Sequence, residues 1–427
     1  QIIMIRHIFK IIWNERKTNA WITLEYILVF CVLWFCVDYL FYMGKCYFER
    51  SGFDIENTYE INMQEKPANS AVYPAEDGQT EEIDKQALAM TFLSRVKNYP
   101  GVESVSFSKW GAPFGWSNYM SSFHINEDTT DMVNLRMRWV TDGFFDVFKV
   151  KSTVSDFSRW GIPGTNPIII SPSRDGKFGS HDYSRELSEI KKLTSTDIDK
   201  TVYTVIGTTD KMKDSYFESF FSNMIQPLKK EEYNLSDIQI YIRISPEADK
   251  DFAERFTREM REQLMLGPYF MASIFSTPES AKTINWPTNE LNGIYAITTF
   301  LILNIFLGII GTFWYRTQAR RSEVGLRLAL GATRQGVKRM IFGETLLILF
   351  IASVVGVNIC LNIGQTELLE LLDIPISNRM DAGIGVEQEF INYLLTFGLL
   401  ATVSLIAVWY PARQAAKIPP AEALRDE

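Results

Sequence analysis

Four stretches of this chain are apolar for long enough to cross a bilayer: about 20–43, 291–315, 341–363 and 391–410. Each meets the roughly 20 residues that a ~30 Å hydrocarbon core demands, so each predicts a membrane-spanning helix. Residues 44–290, between the first and second stretches, follow the rules of a folded polar domain instead. There Ile238–Ile244 alternates apolar and polar positions and predicts a half-buried strand. Ser245-Pro246 supplies a cap and a proline at the first helical position, and Phe252, Phe256, Met260 and Leu264 then share one helical face. Earlier, Ile83, Ala87, Met90, Leu93 and Val96 mark another helix, stopped by Pro100-Gly101 ahead of a strand at Val102–Phe107. Each end of the insert thus pairs a helix with a strand, which predicts an α+β domain split by a second subdomain at about 108–235. Ahead of the first span, Ile5–Trp13 predicts a short amphipathic helix with a basic face, followed by the polar break Asn14–Asn19. The expected fold class is therefore membrane α-helical, with four transmembrane helices and a large α+β domain inserted between helices 1 and 2.

Charge orients this arrangement. The chain has 427 residues, 46% of them hydrophobic, and its mean hydropathy of −0.04 fits four spans diluted by a polar domain. The formal charge of −8 matters less than where the charges lie. Segment 316–340 is cationic, with Arg316, Arg320, Arg321, Arg327, Arg334, Lys338 and Arg339 against Glu323, and the N-terminal 1–19 adds Arg6, Lys10, Arg16 and Lys17. Segment 364–390 is acidic, with Glu367, Glu370, Asp373, Asp381, Glu387 and Glu389 against Arg379. The positive-inside rule then places 316–340, the N-terminus and the tail 411–427 in the cytoplasm, with 44–290 and 364–390 on the outer side. The first apolar run is too long and lacks the small-residue site of a cleaved signal, and Met4 begins the pattern expected of a native start. Cys31, Cys36 and Cys360 lie within spans and Cys46 just beyond the first, which predicts small buried apolar residues and no disulfide framework.

The cationic loop also has helical spacing. Val324/Leu328 and Leu326/Leu330 are apolar pairs at i, i+4, while Arg320, Glu323 and Arg327 form a charged stripe and Gly331 supplies a stop. The run from Glu323 to Thr333, E-V-G-L-R-L-A-L-G-A-T, resembles the coupling-helix signature of the MacB/FtsX/Lol-type (type VII) ABC transporter permeases, E-I-G-I-R-[KR]-A-L-G-A. Leu328 stands where that signature often carries a basic residue. Residues 410–425, Y-P-A-R-Q-A-A-K-I-P-P-A-E-A-L-R, resemble the same family's closing motif, Y-P-A-R-x-A-A-x-x-x-P-x-E-A-L-R. Pieces of the insert (residues 99–106, 140–148 and 205–210) resemble the family's periplasmic domain in the same order. Around 166–198 only Phe178-Gly179 remains of the family's F-G-x-x-x-P-x-G turn, which predicts a remodelled middle subdomain.

The resemblance implies that Glu323, Val324, Gly325, Arg327, Leu328, Gly331, Ala332 and Thr333 couple the chain to an ABC ATPase subunit. Glu323 and Arg327 would be its polar anchors, beside Val324 and Leu328. Pro411, Arg413, Pro420, Glu422 and Leu424 carry the closing motif. It further implies a multi-pass subunit of the bacterial inner membrane that dimerises with a copy or a related permease and acts on substrates already on the outer side. A periplasmic adaptor or outer-membrane component is a further possible partner. Export of a periplasmic substrate leads the functional expectations. Extraction of lipoproteins, FtsX-like control of a cell-wall hydrolase, and a receptor without any ATPase stand as alternatives.

Other chemistry is missing from the sequence. No G-x-x-x-x-G-K-[ST] cradles ATP phosphates. His7, His124 and His181 are scattered, no His/Cys group has metal-ligand spacing, and no G-x-S-x-G elbow occurs. The expectation is no enzyme site, no cofactor and no metal on this chain, with ATP and magnesium on the partner ATPase. No basic footprint suggests nucleic acid.

Several residues within the spans carry two readings each. Glu25 and Asp38, ionisable groups at membrane depth, fit headgroup anchoring, a dimer seam or a proton relay. Glu344 fits a charge partner for Arg339 or Arg316, or a hinge. Gly308 and Gly311 allow close helix approach. The aromatic, glycine-rich run Trp110–Tyr119 fits either core packing or a docking surface. With so few polar groups in the spans, the helices are expected to act as levers without a continuous transmembrane cavity.

Overall fold

The computed structural model describes residues 16–67, 84–115, 118–126, 130–157, 160, 162, 165–179, 184–284, 288–319, 321–364 and 386–417. The chain divides into two compact units: an inserted one, Lys45–Trp286, and a helical one built from the segments on either side.

Among the described residues the helical unit contains four long helices: α1 (Arg16–Phe48), α6 (Thr288–Ala319), α8 (Arg334–Gly364) and α9 (Val386–Ala415). All four are long and apolar enough to span a membrane. Each runs past the apolar stretch that announced it, because polar residues at both ends continue the helix beyond the hydrocarbon. The helices meet through small residues and matched polar groups. A Cβ on Gly356 of α8 would fall 2.6 Å from the Phe30 ring of α1, and one on Gly308 of α6 would fall 2.4 Å from the Glu25 carboxylate. Gly311 has open space where its Cβ would be, so of the two glycines only Gly308 serves helix approach within the chain. Between α1 and α9, Tyr26 donates a hydrogen bond to Ser404 Oγ at 2.9 Å, Trp34 stacks on Tyr393, and Asn392 Nδ2 donates to Asp38 Oδ1 at 2.7 Å. Asp38 is fully buried, and this corrects the headgroup-anchor reading. Its hydrogen-bond partner lies on a helix of the same chain.

The inserted unit is β-rich. Its strands are β1 (Thr58–Glu65), β2 (Val102–Lys109), β3 (Tyr119–Ile125), β4 (Met132–Val140), β5 (Pro167–Ser171), β6 (Lys177–Gly179), β7 (Ser184–Glu186), β8 (Lys192–Ser195), β9 (Val202–Thr208), β10 (Asn223–Pro227), β11 (Gln239–Ile244) and β12 (Tyr269–Ser276). One sheet takes the order β10-β5-β9-β8-β3-β4-β2-β11-β1-β12, and β10 also pairs in parallel with β4. That extra pairing closes β3, β4, β5, β8, β9 and β10 into a six-stranded barrel. Its filling includes Phe123, Leu135, Ile168, Ile170, Phe178, Leu193 and Met224. Beyond the barrel, β2-β11-β1-β12 carry a second core under α2 (Lys85–Lys97) and α4 (Phe252–Met260), with α3 (Gly143–Val147) and α5 (Thr277–Ile284) completing the helices. The pattern locates α4 and its buried face, since Phe252, Phe256, Met260 and Leu264 are all buried.

For α2 the expected face is rotated. Ala89, Phe92 and Val96 point inward, while Ala87 and Met90 are exposed. Phe92, the largest apolar side chain in the helix, turns the face by packing on Phe107 of β2. Ser245-Pro246 opens a single 3₁₀ turn, Pro246–Ala248, and α4 begins only after Asp251, which is left-handed at φ 56°.

A fully buried arginine anchors the barrel wall. Arg138 of β4 donates from Nε to Asn223 Oδ1 at 2.8 Å and from Nη1 to the Gly111 carbonyl at 2.7 Å, and pairs through Nη2 with Asp214. Arg136 holds the other Asp214 oxygen at 2.8 Å and reaches Glu218 at 3.6 Å. Burial pushes the Glu218 carboxyl above its ordinary range, against the pull of Arg136. A buried charge is tolerated only when paired and hydrogen-bonded, and this network supplies both. Sequence pattern gave no sign of it.

Candidate functional site

The cationic segment folds as a short helix, α7 (Arg321–Ala329), between α6 and α8. Its end is set by backbone geometry. Gly331 takes φ 93°, a conformation open to glycine, while Ala332 N donates to the Arg327 carbonyl at 2.9 Å and Gly331 N to the Leu328 carbonyl at 3.1 Å. This pair of bonds is a Schellman C-cap. Thr333 then N-caps α8, its Oγ1 accepting from Gly336 N at 3.0 Å. Gly331, Ala332 and Thr333 thus form a stiff elbow between two helices. Short connections of this kind leave little room for independent motion.

The two apolar pairs of α7 separate. Val324 is buried in the core of the helical unit, Gly325 is buried, and Leu328 packs against that core. Leu326 and Leu330 are exposed, by 50% and 80%. Glu323 is exposed and accepts a hydrogen bond from Arg327 Nη2 at 2.5 Å, an i, i+4 pair of the favourable polarity. Arg327 also reaches Met340 of α8. Val324 and Leu328, expected to accompany the polar anchors on a docking face, instead fasten the helix to the bundle. The exposed face of α7 comprises Glu323, Leu326, Ala329 and Leu330. Arg320 lies outside the described residues.

Beneath α7 sits a buried ion pair. Arg316, near the end of α6, donates from Nη1 to Glu344 Oε1 of α8 at 3.1 Å, with both side chains less than a tenth exposed. The guanidinium also lies over the Phe313 ring. A void of about 20 Å3 beside the pair is lined by Val324 of α7, Ile341 of α8 and Ala415 of α9, among others. So α6, α7, α8 and α9 converge on one charged joint. Of the two partners considered for Glu344, Arg316 is the one it takes, while Arg339 is exposed on the same helix.

The closing motif enters this joint. Pro411 and Arg413 lie within α9, so the tail expected from residue 411 begins as helix. Ala412, Ala415 and Ala416 are buried in the same core as Val324 and Val337, and Arg413 stacks over the Trp409 ring. These alanines, which lack bulk, allow α9 to approach closely, and their packing keeps the helix intact through a proline. Pro420, Glu422 and Leu424 lie outside the described residues, as does Ile5–Trp13.

The Trp110–Tyr119 run divides between its two readings. Ala112 and Phe114 are core, whereas Trp110 stacks on Tyr119 and meets Trp139 edge-on in a cluster where Tyr119 stays 45% exposed. Among the described residues no group of His, Cys, Asp and Glu is placed to hold a metal ion.

Four membrane-length helices around a buried joint, with a β-rich domain inserted after the first, define a multi-pass membrane protein of permease architecture. Residues 295–420 match the family described as FtsX-like permease C-terminal. The chain is 26% identical over 156 residues to the macrolide export ATP-binding/permease protein MacB of Bdellovibrio bacteriovorus, covering 36% of this chain and 22% of that protein. It is 25% identical over 139 residues to the lipoprotein-releasing system transmembrane protein LolC of Haemophilus influenzae, covering 32% of this chain and 34% of that one. A solved periplasmic region of MacB from Actinobacillus actinomycetemcomitans aligns with 55% of this chain and 94% of its own, at 13% identity and a TM-score of 0.30. The chain spans about a fifth to a third of the length of the curated relatives it matches. Residues 295–420 thus carry an FtsX-like permease domain, and the chain is similar over about a third of its length to MacB and LolC.

Proposed function

We propose that this chain is the permease subunit of an ABC transporter of the inner membrane and that α7 receives force from a separate ATPase subunit. In this reading ATP and magnesium are held by that ATPase, two permeases (copies or relatives) form the membrane part, and both termini face the cytoplasm. The periplasmic insert changes shape to drive export of a substrate already outside the membrane. The observation that carries this is the division of α7. One face is packed into the joint of the helical unit, and the other presents exposed leucines beside the charged pair Glu323–Arg327. A helix so fastened transmits a push to the spans it touches. Similarity to LolC favours a second reading, extraction of lipoproteins from the membrane; a periplasmic adaptor or a controlled cell-wall hydrolase belongs to the remaining alternatives.

The double reversal Glu323→Arg/Arg327→Glu tests the assignment. It restores an i, i+4 pair of opposite polarity, so α7 loses only a few tenths of a kcal/mol while the partner meets inverted charge. The expected result is an inserted, folded chain that no longer stimulates ATP hydrolysis by the ATPase subunit. Undiminished stimulation would sink the coupling role.

A further inference from the structure

Two cysteines of the helical unit come together between α1 and α8. Cys31 of α1 donates from Sγ to the Gly356 carbonyl of α8, 3.9 Å away. Gly356 lies one turn before Cys360, on the same face of that helix. A helical side chain tilts back toward the N-terminus of its helix, so the Cys360 thiol leans over the turn that carries Gly356. Gly356 has no side chain to stand between the two sulfurs, and the space a Cβ would need is taken by Phe30, the residue before Cys31. The two helices are therefore pressed together here, and the thiols interact side chain to side chain. Both are free.

Access to the pair is from one side. Cys360 is buried, whereas Cys31 is only half-buried. Leu28 and Val32, its neighbours on α1, are exposed apolar side chains, as are Val355 and Ile359 on α8. On membrane-length helices such a surface faces lipid, so the reagents that reach Cys31 are apolar ones. A thiolate is costly in hydrocarbon, which disfavours exchange with a water-borne disulfide. A quinone avoids that cost, because it dissolves in the bilayer and accepts protons together with electrons.

We propose that Cys31 and Cys360 close a reversible disulfide that ties α1 to α8, with a bilayer quinone as oxidant. Both S–H bonds break and one S–S bond forms. The two electrons and two protons pass to the quinone, which leaves as a hydroquinone. A dithiol returns the same electrons and protons and ends as its own disulfide. The consequence rests on the proposed coupling role: α7 leads directly into α8, so a bond from α8 to α1 brakes any movement of one past the other.

The full chain in phosphatidylcholine nanodiscs is treated with decylubiquinone, its remaining thiols are alkylated, and its peptides are read by mass spectrometry. A linked Cys31–Cys360 pair is expected, absent without quinone and lost on addition of dithiothreitol. Cys31→Ser and Cys360→Ser should each abolish it, with thermal unfolding of the reduced samples verifying that these near-isosteric variants keep their fold. Cys36→Ser should leave it intact, because Cys36 points about 140° away from Cys31 around α1. Full alkylation of both thiols after quinone, or a bridge found only between two copies, overturns the proposal. The brake is read separately, as ATP hydrolysis by the ATPase subunit. Quinone should abolish the stimulation given by the unaltered chain and spare that given by Cys31→Ser/Cys360→Ser. Undiminished stimulation by the bridged chain overturns the brake. A reduced chain that never stimulates the ATPase fails the coupling reading instead, and the disulfide result stands apart from it.

Discussion

Arg316 and Glu344 lie on opposite sides of the α7 elbow, and each is buried deeply enough that removing either takes a direct charge contact from the other in a desolvated setting. Breaking such a pair typically costs about 3–5 kcal/mol, whereas replacing both members with apolar residues of similar volume is often close to neutral. Arg316→Met should therefore lower the melting temperature of the solubilised chain sharply, and Arg316→Met/Glu344→Leu should recover most of the loss. A double variant no more stable than the single one would show that the pair does more than satisfy itself. The sequence exposed both charges but left Arg339 as an equal rival. The difference is one of direction. Arg339 sits five positions before Glu344 on α8, about 140° around the helix, so it cannot turn to the same side. Asp38 was legible as an ionisable group in a span, but its partner Asn392 was not. Pairing across helices far apart in sequence leaves no local spacing to read.

At the scale of the element, α7 is apolar on two opposite faces, and periodicity alone gives no preference between them. Val324 and Leu326 are two residues apart, about 200° around a helix, and both pairs keep i, i+4 spacing. Only packing against α8 and α9 decides that Val324 and Leu328 face inward. The two faces should respond differently to substitution. Leu326→Ser/Leu330→Ser removes exposed apolar surface, so the chain should melt normally but bind the ATPase subunit more weakly, by about tenfold or more given roughly 1.5–3 kcal/mol per buried leucine. Val324→Ser should instead lower the melting temperature. Biolayer interferometry and thermal unfolding on the same samples separate these outcomes. Full-strength binding by the leucine variant would place the contact elsewhere. In α2 the same ambiguity produced a wrong face: the pattern counted Met90 and Ala87, and the bulk of Phe92 outweighed them.

For the whole molecule, the spans were legible because twenty apolar residues in a row have few other uses. The closed barrel was not, since its closing contact joins β4 and β10 from distant parts of the chain. Three pairs of buried polar groups in the helical unit face one another: Tyr26 with Ser404, Asp38 with Asn392, Arg316 with Glu344. Asn358 and Asn362 turn back onto the carbonyls of Val354 and Asn358 in their own helix. Groups spent in this way are poor candidates to line a path for a hydrophilic substrate, since each would first have to break its existing bond. The expectation is that work is done by movement of the inserted domains, with the spans as levers. Ile198 is fully exposed and serves as a cross-linking site once replaced. An Ile198→Cys chain paired with its copy by a reducible bis-maleimide should lose transport while its ATPase subunit still hydrolyses ATP, and reduction should restore transport. Transport at the full rate by the cross-linked pair would mean that the inserted domains need not move, and a substrate route through the helices would have to replace the lever.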